Sequence, residues 1–151
     1  MQTDQIQDFV REFIERLGVS VDQIEQVSIA AHRMYNVRTA DSKLLIGPQG
    51  EHLRALNYLM RRCVEKCASD GIDTRFLVDV NNYQLARIRE LEQKARLLAD
   101  RVRTFRSSAD MTPMNAYERM IVHTLFTNDP DVTSVSDGEG KNRHVILKYR
   151  G

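Results

Sequence analysis

Leu45-Ile46-Gly47-Pro48-Gln49-Gly50 opens directly onto a run in which Leu53, Leu56, Leu59, Met60, Cys63, Val64 and Cys67 recur every three or four residues. That recurrence predicts an amphipathic helix, so the Gly-x-x-Gly segment is a turn placed at a helix N-terminus. Glycine has no Cβ, which lets the backbone of such a turn approach another chain, and a helix N-terminus offers unpaired N–H groups to an anion. The pattern is suited to gripping a phosphate backbone. Pro48 supplies no N–H and no Lys or Arg stands between the glycines, so this loop offers fewer donors and less charge than the pattern allows.

Toward the N-terminus, Ile6, Phe9, Val10, Phe13, Ile14 and Leu17 fall at helical spacing with Gly18 as a stop, which predicts a helix over residues 4–17. Val27, Ile29 and Ala31, then Tyr35, Val37 and Thr39, alternate with polar residues. They predict a hairpin with its turn near His32-Arg33-Met34. Ser42-Lys43-Leu44-Leu45-Ile46 leads into the loop, the following helix ends before Asp70-Gly71, and Phe76, Val78 and Val80 predict a third strand. Together these elements predict an α+β unit, a small three-stranded sheet with helices on one face.

Toward the C-terminus, Leu85, Ile88, Leu91, Ala95, Leu98, Val102 and Phe105 mark a helix too regular for a loose linker, and it reads as a strut. Its polar face carries Arg87, Arg89, Lys94, Arg96, Arg101, Arg103 and Arg106. Met111-Thr112-Pro113 reads as extended, and a helix from about Met114 to Phe126 carries Arg119 and His123. Four residues apart, these side chains share one face, where they can clamp a single anionic strand. Tyr117 and Phe126 are read as core. Two alternating segments, 132–136 and 143–149, flank Asp137-Gly138-Glu139-Gly140 and predict a terminal hairpin that brings Arg143 toward the same surface.

The chain has 151 residues, 42% hydrophobic and 28% charged, enough for one core or two small ones. Its net charge of +1 excludes a uniformly basic nucleic-acid binder and shifts attention to local charge. Ten basic residues face twelve acidic ones over 1–80, seven face three over 81–106, and five face six over 107–151. No leader pattern and no apolar run of membrane-spanning length occurs, which predicts a soluble cytoplasmic protein. Cys63 and Cys67, one helical turn apart, read as buried reduced thiols, and no metal-ligand spacing accompanies them. His32, His52, His123 and His144 fall in no nucleophile-elbow, Walker or zinc pattern, so the expectation is a non-enzyme without metal or cofactor.

Over nearly its whole length the chain resembles the Jag (SpoIIIJ-associated) family of bacterial proteins, which join a KH domain to an Arg-x-x-x-His domain through a long helix. The likeness rests on Leu45-Ile46-Gly47-Pro48-Gln49-Gly50 with Leu53, Leu56 and Tyr58, and on Met114-Asn115, Tyr117-Glu118-Arg119, His123, Ser136-Asp137-Gly138-Glu139-Gly140 and Arg143. Ala116 and Met120 stand where the family often has a proline and a basic residue. The resemblance implies a type II KH-like domain over 1–80, a connecting helix over 81–106 and a small Arg-x-x-x-His domain over 107–151. It further implies single-stranded RNA binding, with a post-transcriptional, chaperone or cell-envelope role. The RNA-contacting set is then Lys43, Gly47, Gln49, Gly50, His52 and Arg54 in the first domain and Arg119, His123 and Arg143 in the second. The alternative is a protein adapter, with a membrane insertase or a second KH-domain protein as partner and RNA binding secondary.

Overall fold

The computed structural model describes residues 2–29, 32–67 and 73–151, and the chain divides into two compact units, Met1–Leu85 and Ala86–Gly151. The first unit runs α1 (Gln2–Arg16), β1 (Gln23–Ile29), β2 (His32–Arg38), α2 (Ser42–Ile46), α3 (Glu51–Cys67) and β3 (Phe76–Val80). Its sheet has the order β1-β2-β3, with β1 antiparallel and β3 parallel to β2. A parallel β2–β3 pair needs a crossover, and α2 and α3 supply it, giving a strand–helix–helix–strand core behind the leading helix.

Ile6, Val10 and Ile14 of α1 and Leu53, Leu56, Met60 and Val64 of α3 pack with Tyr35, Val37, Phe76, Val78 and Val80, the alternate residues of the strands. His32, Arg33 and Met34 are strand residues rather than a turn, paired with Ile29, Ser28 and Val27. The polar pair resembles a turn only locally: both residues are half-buried, and Arg33 is tied to Asp73 at 3.1 Å. Ala31 and the Asp70-Gly71 turn lie outside the described residues. Both thiols are free, but Cys63 is half-buried and Cys67, the last residue of α3, is exposed. The buried stripe of α3 ends at Val64.

β3 passes into α4 (Tyr83–Phe105) through Asn81 and Asn82, both left-handed at φ 48 and 60. Asn81 exchanges two hydrogen bonds with the Thr39 backbone, and the Asn82 N–H donates to Asn36 Oδ1 at 2.9 Å. Fully buried Asp79 accepts the N–H groups of Gln84 and Leu85 at 2.8 and 3.0 Å, capping the first turn of α4.

The second unit adds β4 (Ala109–Asp110), α5 (Ala116–Phe126), β5 (Val132–Asp137) and β6 (His144–Tyr149) to the rest of α4. Its antiparallel sheet has the order β4-β6-β5. Ala95, Ala99 and Val102 of α4 are buried with Val122, Phe126, Val132, Val145 and Leu147. Small residues at 95 and 99 let this helix approach closely, so the strut read from periodicity is also part of a core. Phe105, the last apolar residue of that stripe, is exposed, and Tyr117 is half-buried. Among the described residues no helix is long and apolar enough to cross a membrane.

Candidate nucleic-acid interface

The second unit builds a cationic site around His123. Asn115 starts α5 with a reciprocal cap: its Oδ1 accepts the Glu118 N–H at 2.9 Å, and its own N–H donates to Glu118 Oε2 at 3.0 Å. The cap sets the phase of the helix, which carries Arg119 and His123 one turn apart. The imidazole is gripped from both sides, Nδ1 by Ser134 Oγ at 2.7 Å and Nε2 by Ser136 Oγ at 2.8 Å. Ser134 and Ser136 stand two apart on β5 and so share one face. A neutral ring satisfies this pair by donating to one hydroxyl and accepting from the other.

The two arginines are anchored without losing their charge. Arg119 Nη1 donates to the Met114 carbonyl at 2.8 Å, and Arg143 Nη1 donates to the Gly138 carbonyl at 2.9 Å. Glu118, the nearest acid in sequence to Arg119, is engaged by Asn115 and by Arg87 at 3.5 Å. Among the described residues neither Arg119 nor Arg143 enters an ion pair. Burial, with added repulsion from Arg119 and Arg143, holds the His123 pKa below its ordinary value. The result is two fixed, uncancelled guanidiniums beside an oriented neutral imidazole, all half-buried. Such an arrangement can hold a phosphate and hydrogen-bond or stack on a base.

Sequence reasoning gave no role to the Ser134 and Ser136 hydroxyls or to the carbonyls of Met114 and Gly138. The period-two spacing of the serines on a predicted strand was the available signal.

In the first unit, Lys43, Gly47, Gln49, Gly50, His52 and Arg54 surround the turn between α2 and α3. Gly47, Gln49 and Gly50 all have positive φ, at 69, 51 and 77. The room left by the missing Cβ atoms is filled from within the chain. A Cβ at Gly47 would lie 2.3 Å from Cγ of the His52 ring, and one at Gly50 would lie 3.0 Å from the Tyr83 ring. The amides are also engaged: Gly47 N–H donates to Lys43 O, Gly50 N–H to Gly47 O, and Glu51 N–H to Pro48 O. His52 Nδ1–H donates to Leu44 O at 2.9 Å and Arg54 Nη1 to Gln49 O at 3.1 Å. Lys43, Gln49, His52 and Arg54 remain exposed, so this loop presents side-chain charge more than backbone donors. No group of three or more His, Cys, Asp or Glu residues suited to a metal occurs among the described residues.

A family model for the Arg-x-x-x-His domain, described by the shorthand R-3-H, matches residues 89–149. RNA-binding protein KhpB of Clostridium symbiosum is 34% identical over 148 residues, which is 97% of this chain and 66% of that protein. The protein of the same name in Bacillus subtilis (strain 168) is 32% identical over 118 residues, covering 77% of this chain and 56% of the relative. That of Lactiplantibacillus plantarum is 25% identical over 143 residues, covering 95% and 44%. The chain thus spans 66% or less of the length of these curated relatives, and each is named as an RNA-binding protein rather than an enzyme.

Proposed function

Since the chain belongs to the Jag family, with an Arg-x-x-x-His domain and relatives named KhpB, we propose that it binds single-stranded RNA in the cytoplasm and acts without catalysis as a post-transcriptional or cell-envelope regulator. The observation that carries this reading is the pair of guanidiniums, Arg119 and Arg143, held by neutral carbonyls and both close enough to His123 to act on its charge. A carbonyl orients an arginine and leaves its charge available for phosphate, whereas a carboxylate would cancel it. His123, fixed by two serines, is placed to meet a base or sugar. The first unit has the strand–helix–helix–strand order and the Gly-x-x-Gly turn of a KH-like domain, and it contributes Lys43, His52 and Arg54.

The test is fluorescence anisotropy with short single-stranded RNA at moderate salt. Arg119→Ala combined with His123→Ala lowers affinity by about tenfold or more while the circular dichroism spectrum is retained. Unchanged affinity in the folded double variant overturns the assignment.

A second reading has a specific support in the Gly47–Gly50 turn, where both glycine amides and the Cβ space at both glycines are already taken by its own chain. On this reading the KH-like face docks a protein, either another KH-domain protein or a membrane insertase, and RNA binding rests on the second unit. RNA crosslinks near Arg119 with none near Gly47 favour it.

A further inference from the structure

The second unit keeps one strand edge open, and a groove runs along it. β4 lies at the edge of its sheet, with Ala109 opposite Leu147 and Asp110 opposite Ile146 of β6. The Met111 N–H donates to Val145 O at 2.9 Å, whereas Ile146 is paired on its other side with Val135 of β5. Residues of an antiparallel strand turn alternately toward one neighbour and the other, so Asp110 and Thr112 aim their N–H and C=O groups away from β6. Among the described residues these outward groups meet no backbone partner. Pro113, which has no N–H, closes the edge. On the outer side of the segment 110–114, α4 completes a groove of about 830 Å³ that no described residue of β6 lines. Leu91, Leu98, Met111 and Met114 make part of its wall apolar, and Leu97 stands 62% exposed at its rim.

We propose that this edge accepts a fourth strand, an extended segment of a partner protein that turns apolar residues toward the groove and carries a net negative charge. The open backbone groups call for an extended polypeptide, since a helix bonds its own N–H and C=O groups and has none to offer an edge. The charges choose its sign. Glu118 is engaged by Arg87 at 3.5 Å and Asp100 by Arg103 at 2.8 Å. Asp110, on the opposite face from buried Met111, turns to His144 at 3.6 Å. Lys94 and Arg101 are exposed and enter no ion pair among the described residues, which leaves two cations on the α4 wall against Glu90. From Arg87 to Arg101 that wall is about 21 Å long, the reach of about seven residues of strand. A strand of RNA fits less well, because it carries a charge at every phosphate along a groove that Glu90, Asp100, Asp110 and Glu118 also line, whereas a peptide places acids only where cations stand. The docking belongs to the second unit and does not rest on RNA binding.

The test is fluorescence anisotropy on the full chain without RNA, using a labelled, capped heptapeptide with leucine at its third and fifth positions, glutamate at its first and last, and threonine between. A dissociation constant below about 100 μM is expected, with slowed hydrogen exchange at the Asp110 and Thr112 amides. Thr112→Pro removes an edge N–H at an exposed position, and Lys94→Glu with Arg101→Glu reverses the charge of the wall. Each change lowers affinity by about tenfold or more with the circular dichroism spectrum retained, and the double reversal makes a lysine-ended peptide the tighter ligand. No binding up to about 1 mM overturns the proposal, as does binding that ignores both changes. Asp110 and Thr112 amides already protected without peptide mean that a second copy or another segment holds the edge. Loss of RNA affinity in the double reversal, with no peptide binding to the unaltered chain, gives the groove to nucleic acid. Either of these results overturns it as well.

Discussion

The side-chain amide of Asn57 brackets Val78, accepting its N–H at 2.8 Å and donating to its carbonyl at 2.9 Å. β3 is the edge of its sheet, so these backbone groups point away from β2, and Asn57 on α3 substitutes for a missing strand. Asn57→Ala leaves two buried backbone groups without partners. A loss of about 2–4 kcal/mol in urea unfolding is expected. A loss below about 0.5 kcal/mol, the size of an ordinary surface substitution, would mean that the latch has no energetic role.

RNA binding should take up a proton at His123. Its pKa lies below 6.5 in the free protein because of burial and then of Arg119 and Arg143. A phosphate between the two guanidiniums offsets their repulsion and raises it. In the window between the free and bound values the complex holds more protons, so affinity increases as pH falls from about 7.5 to about 5.5. His123→Gln should flatten that dependence. Folding runs the other way: because the folded value is depressed, the His123 contribution is fully present above 6.5 and is lost as pH drops through the folded value. Anisotropy and urea titrations across this range separate the two.

Arg119 and Arg143 should weaken binding evenly across RNA sequences when replaced by Ala. Each removes one phosphate partner, so the slope of log affinity against log salt should flatten by about 0.7 per residue for a single strand. A change in sequence preference with no change in salt slope would assign them to bases instead.

Gly47→Ala should cost stability before it costs binding. The new Cβ meets the His52 ring, which is tied to Leu44 O, and the position requires φ of 69. A loss of about 1–3 kcal/mol is expected in thermal unfolding. Gly50→Asp adds negative charge beside Tyr83 and should lower RNA affinity further if the loop contacts the strand. Equal affinity for wild type and a folded Gly50→Asp variant would remove this loop from the RNA surface.

Asp79→Ala should loosen the start of α4 by uncapping Gln84 and Leu85, with about 1–3 kcal/mol lost. Asp79→Asn keeps an acceptor and should lose less. Hydrogen exchange at Gln84 and Leu85 reads the effect directly.

Local pattern was enough to place the helices, since burying Ile6, Val10 and Ile14 or Leu53, Leu56, Met60 and Val64 on one side is a property of spacing along one segment. It also placed the three strands of the first unit, the Gly-x-x-Gly turn at a helix start, and Arg119 and His123 one turn apart. The resemblance to the Jag family rested on the same short-range order. Pairing and anchoring were not legible in this way. That β2 begins at His32 depends on Ile29 and Ser28 lying opposite, and that Cys67 is exposed depends on where the core beneath α3 ends. The grip of Ser134 and Ser136 on His123, and the filling of the Gly47 gap by His52, are likewise side-chain encounters created when elements pack. Periodicity reports which side of an element avoids water; which partner it meets is decided only when distant segments close on one another.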